Sequence, residues 1–427
     1  MPARGGRGCR GAGKTTALRT TQEILTRQGH RLMVVTPTLK ASQVAASETG
    51  AEGRSAAWLI HQHGWRWDAD GHWTRQSDVM PDRAAQLNAG DLLLIDEAGM
   101  LDQDTARALL TTADESGARI AFVGDRHQLP AIGRGGVLDH AVAWAHPTAV
   151  VTLERVHRFT DPDYADLSLK MRSGEDPGGV FDELTRRGWI VIHASEVERT
   201  AALAEAGAAG ELVIAERREQ VADLNAAIRD HRPRRTGVDG GGLATITTCS
   251  GEVLSLGDRV ATRRNDTDLQ VANRQTWTIT GIGDSGSLVL HGHGHDRPIP
   301  ADYASQFVEL SYATTVHGAQ GDTVTRAHFA LGETTGAAAA YVAMTRGREN
   351  NTAHLVAENV DDARRQWIET FVRDRADLGP AHARTGAIED IDRYGPAVPT
   401  GSPRRPGRGL PQIPPSPARA ERPGIGI

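Results

Sequence analysis

A glycine-rich segment near the start of the chain has the spacing of a phosphate-binding loop. Gly8 is followed by four residues and then by Gly13-Lys14-Thr15. Glycines let backbone N–H groups wrap a phosphate at the start of a helix, a lysine neutralises the outer phosphates, and a threonine hydroxyl ligates Mg²⁺. The segment therefore predicts a phosphate site. An accidental match in a chain with 47 glycines is the alternative.

The lysine of this segment is notable because the chain contains few lysines. Of the 48 basic residues only three are lysine, at positions 14, 40 and 170, and the others are arginine. Such a bias is typical of GC-rich coding sequence. A compact ammonium fits among phosphates where a guanidinium fork does not. The retention of Lys14 therefore supports the phosphate site.

Two apolar runs further along the chain end in polar side chains. The run 92–95 is followed by Asp96 and Glu97, and the run 120–123 by a Gly-Asp turn and Gln128. Open α/β sheets bind ligands at the carboxyl ends of their strands. Asp96 is therefore predicted to contact Mg²⁺, Glu97 to polarise an attacking water, and Gln128 to sense a γ-phosphate. An ordinary acidic helix start and a common turn are the alternatives.

The elements that must position these residues alternate between strands and helices. Short apolar runs bounded by polar residues or glycine predict strands buried on both faces of a parallel sheet, with helices between them. We therefore predict an α/β fold of the doubly wound type. The predicted strands are 31–35, 92–95, 120–123 and 149–151 in a first set and 190–192, 212–214, 308–310 and 353–356 in a second set.

Three other regions have a different character. Residues 235–305 are rich in Gly, Thr and Val and predict a small inserted β-barrel. Residues 396–427 contain nine of the 20 prolines and predict a disordered, basic tail. Four of the eight tryptophans lie in 58–73, where residues 65–73 predict a hairpin around an Asp-Gly turn. Packing of that hairpin onto its own domain is favoured over stacking on bases.

Composition excludes several classes of protein. The chain of 427 residues is 39% hydrophobic and 24% charged, with no apolar run near 18 residues, so a membrane span and a secretory signal are not predicted. Two cysteines cannot form a disulfide framework or a four-cysteine metal site, which favours a cytoplasmic location. The net charge of −6 argues against a histone-like polycation, although a local groove can still be basic.

Taken in order, these segments and four others resemble the motifs of superfamily 1 helicases. The resemblance is to the branch of the exonuclease V alpha subunit and the helicase part of conjugative relaxases, and it covers about residues 8–357. The glycine-rich loop resembles motif I, and the segments with Asp96 and Gln128 resemble motifs II and III. The other four are 36–38 for motif Ia, 153–159 for motif IV, 312–321 for motif V and 341–348 for motif VI.

The resemblance implies a fold and an activity. The implied fold has two RecA-like P-loop NTPase domains, an SH3-like β-barrel inserted in the second, and the disordered C-terminal tail. The implied activity is an ATP-dependent DNA helicase or translocase that uses ATP and Mg²⁺ and moves 5′ to 3′. The implied partners are single-stranded or forked DNA and a relaxase or nickase domain or other conjugation machinery, without a membrane.

The resemblance also assigns roles to residues. The catalytic residues it implies are Lys14, Asp96, Glu97, Gln128, Arg158 and Arg346, the last in the position of an arginine finger. The ATP-binding residues are Gly8, Gly11, Ala12, Gly13, Lys14, Thr15, Thr16 and Gly321, and Thr15 and Asp96 would hold Mg²⁺. The DNA-binding residues are Thr36, Pro37, Thr38, Thr315, His317 and Gln320.

Domain boundaries follow from the same pattern. The predicted ranges are 1–148 for the first RecA-like domain with a hairpin insertion at about 55–90, 149–234 and 306–360 for the second, 235–305 for the barrel, 361–395 for a helical extension and 396–427 for the tail.

The sequence departs from the family pattern at three places. Residues 1–7 contain no apolar run before the phosphate loop, so we expect the chain to be truncated at its N-terminus relative to the family. In the barrel, Asn273-Arg274 stands where the family usually turns on Asn-Gly. Residues 215–218, Ala-Glu-Arg-Arg, replace a more typical Thr-Asn segment.

Two other functions remain as alternatives to the motor. One is a P-loop ATPase that hydrolyses ATP without moving along nucleic acid. The other is a degenerate or truncated remnant that binds nucleic acid without turning over ATP. Stimulation of ATP hydrolysis by DNA separates all three.

Overall fold

Helices alternate with parallel strands through most of the described chain. The computed structural model describes residues 14–38, 42, 52–68, 73–131, 133–152, 158–232, 244–266, 268–292 and 294–373. These residues all belong to one unit, Met1–Ala383. Gly8, Gly11, Ala12 and Gly13 lie outside the described residues, as does the predicted tail.

A four-stranded parallel sheet organises the first lobe. Its order is β2-β1-β5-β6, with Leu32 beside Leu92 and Leu92 beside Arg119. Val35 and Ile95 in its centre are fully buried, as their apolar runs predict. The strands are β1 (Leu32–Thr36), β2 (Glu52–Ser55), β5 (Leu92–Ile95) and β6 (Arg119–Phe122), and the helices around them are α1 (Lys14–Arg27), α2 (Ala56–Gln62), α3 (Gln103–Ser116) and α4 (Val137–Trp144).

A short antiparallel ladder, β3 (Trp65–Trp67) and β4 (Trp73–Arg75), forms the predicted hairpin of the first lobe. Trp65 is buried in the core of this lobe, and the indole N–H of Trp73 donates to Thr105 Oγ1 at 3.3 Å. Trp67 contacts Trp73 edge-on and is 57% exposed. Packing of the hairpin onto its own lobe, the favoured interpretation, is therefore confirmed for Trp65 and Trp73.

A five-stranded parallel sheet organises the second lobe. Its order is β16-β8-β17-β18-β7, and Phe329 and Trp367 are buried in the core that covers it. The strands are β7 (Ile190–His193), β8 (Leu212–Ala215), β16 (Ala313–Thr315), β17 (Val324–Ala330) and β18 (Gly347–Val356). The helices are α5 (Pro162–Ser173), α6 (Pro177–Arg186), α7 (Glu196–Ala208), α8 (Arg218–His231), α10 (Val316–Ala319), α11 (Ala337–Ala343) and α12 (Val360–Val372).

An antiparallel region lies between β8 and β16 in sequence. Its five-stranded sheet has the order β14-β13-β12-β11-β15, and a two-stranded ladder pairs β9 with β10. Asn225 of α8 fixes the junction with the second lobe, because its Oδ1 accepts the N–H groups of Tyr312 and Ala313 at 2.8 and 2.7 Å. The elements are β9 (Thr245–Thr247), β10 (Val253–Ser255), β11 (Arg259–Thr262), β12 (Thr276–Ile282), β13 (Leu288–Gly292), β14 (His295–Ile299), α9 (Ala301–Phe307) and β15 (Val308–Leu310).

The predicted α/β fold with parallel sheets is confirmed, but two of the predicted parallel strands are wrong. Residues 308–310 do form a strand, β15, which pairs antiparallel with β11 in the inserted sheet and does not join the parallel sheet of the second lobe. Residues 149–151 form no strand: Pro147–Ala149 is a short 3₁₀ helix, and Val151 is 81% exposed. A run of three apolar residues predicts burial only if a partner strand is present, and these residues have none in the structure. The predicted domain boundaries stay predictions. No helix among the described residues is long and apolar enough to cross a bilayer.

Local signals explain where the helices begin and end. Asp102 caps α3, since its Oδ1 accepts the N–H of Thr105 at 2.8 Å. The same helix ends at Gly117, whose φ of 66° lies in the left-handed region that favours glycine. Gly29, with φ 76°, follows α1 in the same way. A glycine therefore marks the end of both helices in the sequence.

Three histidines and a glutamate form a hydrogen-bonded chain across the sheet of the second lobe. His193 Nε2 and His354 Nδ1 are 3.0 Å apart, His354 Nε2 and His328 Nδ1 are 2.9 Å apart, and His328 Nε2 contacts Glu211. Burial, together with the neighbouring His328 and His193, lowers the pKa of His354 to about 3. His354 is therefore neutral in the folded protein at neutral pH.

We expect the free energy of unfolding to fall as the pH drops below about 6.5. The unfolded chain takes up a proton at His354 near that pH, whereas the folded chain excludes it down to about pH 3. Stability is therefore fully present above pH 6.5 and is lost on acidification, by up to about 1.4 kcal/mol per pH unit for this group. Urea unfolding at pH 7.5 and 5.5 measures the effect. His354→Gln should reduce the difference between the two pH values, and the exposed His291→Gln should not; equal differences in both variants contradict the prediction.

Candidate functional site

Two carboxylates lie at the carboxyl end of β5, where the sequence predicted them. Asp96 is 8% exposed, and its Oδ1 accepts the N–H of Glu97 at 2.8 Å. Glu97 has φ 54° and ψ 37°, a left-handed conformation that is unusual for a residue with a side chain. Such strain persists where the surrounding structure fixes it, and it is concentrated at functional sites.

The neighbouring strand holds this turn in place. Ala98 N–H donates to Val123 O at 2.9 Å, which ties the end of β5 to the end of β6. A Cβ on Gly124 would lie 3.0 Å from the backbone nitrogens of Ala98 and Gly99. A side chain at Gly124 would therefore push the two turns apart, so the glycine of the Gly-Asp pair allows their close approach.

The predicted finger, Arg346, is buried between α11 and β18 with 1% of its surface exposed. Its Nε donates to Val342 O at 2.7 Å and one Nη donates to Thr345 Oγ1 at 2.9 Å. Burial, and next the charge of Arg158, lower the pKa of Arg346 to about 9, and the carboxylate of Glu97 opposes that shift. The guanidinium thus lies within electrostatic reach of the Glu97 carboxylate on the other lobe.

Arg158, the other predicted arginine, lies beside Arg346. One of its Nη atoms donates to Thr345 O at 2.9 Å, and Thr160 N–H donates to Arg348 O at 3.0 Å. The segment that follows the connection between the lobes is therefore fixed to the start of β18. Arg158 and Arg346 of the second lobe are thus neighbours, and the carboxylate of Glu97 on the first lobe is near enough for its charge to act on Arg346. Their membership of one catalytic site stays a prediction.

A second contact between the lobes includes residues to which the sequence assigned no role. Asp125 accepts the hydroxyl of Tyr341 at 3.1 Å and Nε of Arg172 at 3.2 Å. Although burial opposes ionisation, the charge of Arg172 and the hydrogen bonds hold the pKa of Asp125 below its usual value. Leu129 packs in the core of the second lobe. No local pattern indicated Arg172, since it lies on an ordinary amphipathic helix.

Gln128, the predicted γ-phosphate sensor, is hydrogen-bonded to Gln320 of the predicted DNA-binding segment. Gln320 Nε2 donates to Gln128 Oε1 at 3.3 Å. Gln320 Oε1 is buried and has no hydrogen-bond partner in the structure. Gly321, with φ 84°, has open space where a Cβ would stand. A buried amide oxygen that lacks a hydrogen-bond partner, next to a glycine with free space around it, is suited to accepting a hydrogen bond from a ligand.

The other predicted DNA contacts differ in accessibility. Thr36 is fully buried, and its hydroxyl donates to Thr38 O at 2.6 Å, so it shapes the turn after β1. Thr38 is exposed and Pro37 is half-buried. Thr315 caps α10 by accepting the N–H of Gly318 at 3.1 Å, and His317 on that helix is half-buried. Burial, followed by the charge of Arg274, lowers the pKa of His317.

The residues present fit a magnesium nucleotide where they are described. Lys14 is the first residue of α1, so Lys14, Thr15 and Thr16 form the first turn of that helix. Asp96 and Glu97 supply the carboxylate oxygens that Mg²⁺ prefers. Among the described residues no group of three or more His, Cys, Asp or Glu side chains could by itself hold a metal ion. The carboxylates therefore lie at the strand end that a nucleotide at α1 requires.

Comparison with known proteins gives matches over most of the chain. A family model described as an AAA domain matches residues 3–195. The conjugal transfer protein TraA of Rhizobium radiobacter is 26% identical over 351 residues, which cover 80% of this chain and 30% of that protein. TraA of Agrobacterium fabrum is 26% identical over 350 residues, with the same coverage. The chain therefore spans about a third of the length of these relatives.

Solved structures of helicases share the fold. A crystal structure of Bacteroides Pif1 bound to ssDNA superposes with a TM-score of 0.55 and 16% identity, over 90% of this chain and 92% of that chain. Pif1 helicase from Candida albicans gives a TM-score of 0.53 and 15% identity, over 89% and 93% of the two chains. At this identity the likeness establishes the fold alone.

Proposed function

We propose, on the premise that the chain is a superfamily 1 helicase of the relaxase type, that it is an ATP-driven motor that moves along single-stranded DNA. One observation carries the proposal: Glu97 of the first lobe lies within electrostatic reach of Arg346, next to Arg158, both from the second. A site that is complete only when two lobes meet couples hydrolysis to their relative movement. The similar structures include Pif1 bound to ssDNA and Pif1 at forked dsDNA, which supports the choice of DNA.

Each residue has a defined part in the proposed reaction. Lys14 and the backbone of the glycine-rich loop bind the phosphates, and Thr15 and Asp96 hold Mg²⁺. When bound, Mg²⁺ would neutralise part of the negative charge of the phosphates. Glu97 orients and polarises the attacking water, while Arg158 and Arg346 stabilise the negative charge that grows on the transferring phosphoryl group. Gln128 detects the γ-phosphate.

The path from nucleotide to DNA follows from the contacts of Gln128. Gln128 bonds to Gln320, which follows α10 and the predicted DNA contacts Thr315 and His317. Asp125 is bonded in parallel to Tyr341 and Arg172 of the second lobe. Loss of the γ-phosphate would release both contacts together and let the lobes separate. Alternate gripping by the two lobes then moves the protein along the strand.

The finer parts of the proposal rest on the resemblance. The direction is 5′ to 3′, the partner is a relaxase or nickase domain of a conjugation system, and the setting is cytoplasmic. The two relatives described as conjugal transfer proteins support the conjugative role. Unwinding of forked substrates that carry either a 5′ or a 3′ single-stranded tail tests the direction.

We expect ATP hydrolysis by this chain to be stimulated by single-stranded DNA and to be lost in Lys14→Ala. The lysine is required because its ammonium neutralises the outer phosphates. Steady-state phosphate release, measured with and without oligo(dT), gives the result. Lys170→Ala is the matched control, because Lys170 is an exposed residue of α5. ATP turnover that is lost in Lys14→Ala but is not stimulated by DNA favours the non-translocating ATPase. If the wild-type chain turns over ATP only at the background rate of Lys14→Ala, the result favours the remnant.

A further inference from the structure

Asp125 lies directly against the turn that carries Glu97. A Cβ on Gly99, two residues after Glu97, would lie 2.8 Å from the backbone oxygen of Asp125, so no side chain fits between the two turns. The same oxygen accepts the N–H of Gln128 at 3.2 Å, and the Asp125 carboxylate accepts the N–H of His127 at 3.0 Å. Asp125 therefore shapes the turn of the predicted γ-phosphate sensor and is fixed in place beside Glu97.

A continuous path of hydrogen bonds leads from the Asp125 carboxylate to the guanidinium of Arg346. Asp125 Oδ2 accepts the hydroxyl of Tyr341, on α11, at 3.1 Å. The backbone oxygen of Tyr341 accepts the hydroxyl of Thr345 at 2.8 Å, and Thr345 Oγ1 accepts an N–H of Arg346 at 2.9 Å. The path therefore starts on the first lobe, crosses to the second lobe at the Tyr341 hydroxyl and ends at the predicted finger.

The Tyr341 hydroxyl can act only as a donor to Asp125 at neutral pH. Burial, and next the charge of Asp125, raise the pKa of Tyr341, so the hydroxyl keeps its proton. Tyr341, Thr345 and Arg346 are all buried, and hydrogen bonds are electrostatically stronger in such surroundings than in water. The bond between the lobes therefore has a fixed direction and little competition from solvent.

Arg172 keeps Asp125 in the state that accepts this bond. Its Nε donates to Asp125 Oδ1 at 3.2 Å, whereas Tyr341 uses Oδ2. Although burial opposes ionisation, the charge of Arg172 lowers the pKa of Asp125. The acceptor is therefore an ionised carboxylate, and a hydrogen bond to an ionised group is roughly twice as strong as one between neutral groups.

The packing of the second lobe explains the ring of Tyr341 but not its hydroxyl. The ring belongs to the hydrophobic core of that lobe, where a phenylalanine ring would occupy the same space. The hydroxyl instead bonds to a residue of the other lobe. Its contribution therefore depends on how the two lobes meet, and the finger lies only five residues further along the chain.

We propose that Tyr341 is a positioning residue whose hydrogen bond to Asp125 sets the Arg346 guanidinium opposite the transferring phosphoryl group when the lobes meet. The inference rests on the proposed function, because it concerns the placement of the finger in that site. Tyr341 acts through Thr345 and the backbone of its helix, without touching the nucleotide. Since the finger acts on charge that develops during transfer, the hydroxyl stabilises the transition state more than bound ATP.

Tyr341→Phe tests the proposal, because it removes the hydroxyl and keeps the buried ring. We expect kcat for ATP hydrolysis at saturating oligo(dT) to fall about tenfold, as for loss of one hydrogen bond to a charged group, with KM for ATP unchanged. The affinity for ADP–aluminium fluoride with Mg²⁺, which mimics the transferring phosphoryl group, should weaken by a similar factor. The affinity for a non-hydrolysable ATP analogue should stay at the wild-type value. Arg172→Gln should give the same pattern.

Tyr303→Phe is the matched control, since Tyr303 is a buried tyrosine of α9 whose hydroxyl donates to Arg264 O within the inserted region. It should leave kcat and both nucleotide affinities at the wild-type values. Wild-type kcat and wild-type affinity for ADP–aluminium fluoride in Tyr341→Phe overturn the inference and leave the motor standing. Equal weakening of both nucleotides assigns Tyr341 to the fold of the site and also overturns it. A wild-type chain that hydrolyses no ATP overturns the motor and the inference with it.

Discussion

Glu97→Gln is expected to lower ATP turnover by about 10²–10⁴-fold while ATP binding and folding are retained. Gln has nearly the same shape and occupies the same backbone conformation, but it cannot polarise the attacking water as a carboxylate does. The backbone hydrogen bonds of this turn are kept in the variant, because the N–H of Glu97 donates to Asp96 and the N–H of Ala98 donates to Val123 O. Phosphate release under saturating ATP and DNA measures the loss, and binding of a fluorescent ATP analogue shows that the site persists.

Glu115→Gln is the matched control for Glu97→Gln. Glu115 lies on α3 of the same lobe and pairs with Arg75 on the surface, where such pairs contribute little. The same chemical change there should leave turnover at the wild-type rate. Full activity in Glu97→Gln would assign the water-polarising role to another group, and Asp96 would be the next residue to replace.

Arg346→Ala is expected to lower turnover by about 10³–10⁵-fold, the range for loss of an arginine finger. In the structure Arg346 is within electrostatic reach of Glu97 and next to Arg158. The cation that compensates charge on the phosphoryl group is removed, whereas the loop that binds ATP is untouched. Arg346→Lys should recover only part of the rate, because an ammonium keeps the charge but not the planar fork.

Loss of stability is the competing explanation for an effect of Arg346→Ala, since the side chain is buried and bonded to Val342 O and Thr345 Oγ1. Arg199 provides the comparison. It is also a buried arginine of the second lobe, and it donates to Leu331 O at 2.7 Å. Arg199→Ala should lower the melting temperature to a similar degree and keep near wild-type turnover below that temperature. An equal loss of turnover in both variants contradicts the finger role.

The two contacts between the lobes explain why hydrolysis and movement would be linked. Both originate in the turn after β6, where Asp125 bonds to Arg172 and Tyr341 while Gln128 bonds to Gln320. In the proposed motor, a change at the nucleotide would therefore reach the second lobe through two side chains that are three residues apart in sequence. This link does not require a longer path through the hydrophobic core of either lobe.

The sequence by itself determined the elements and the chemical residue types. Apolar runs with polar ends predicted β5 and the carboxylates after it, because burial on both faces and exposure at the strand end are local properties. The motif order predicted that Glu97, Arg158 and Arg346 belong to one site. The same local reasoning failed at residues 149–151, since three apolar residues become a strand only beside a partner.

Only the tertiary structure decided which side chains meet across the lobes. Arg172 carries no local signal, and its pairing with Asp125 depends on how α5 packs beside the turn after β6. Thr36 was predicted as a DNA contact and is fully buried. Periodicity fixes which face of an element is apolar, whereas contacts between distant segments depend on packing, which no local pattern encodes.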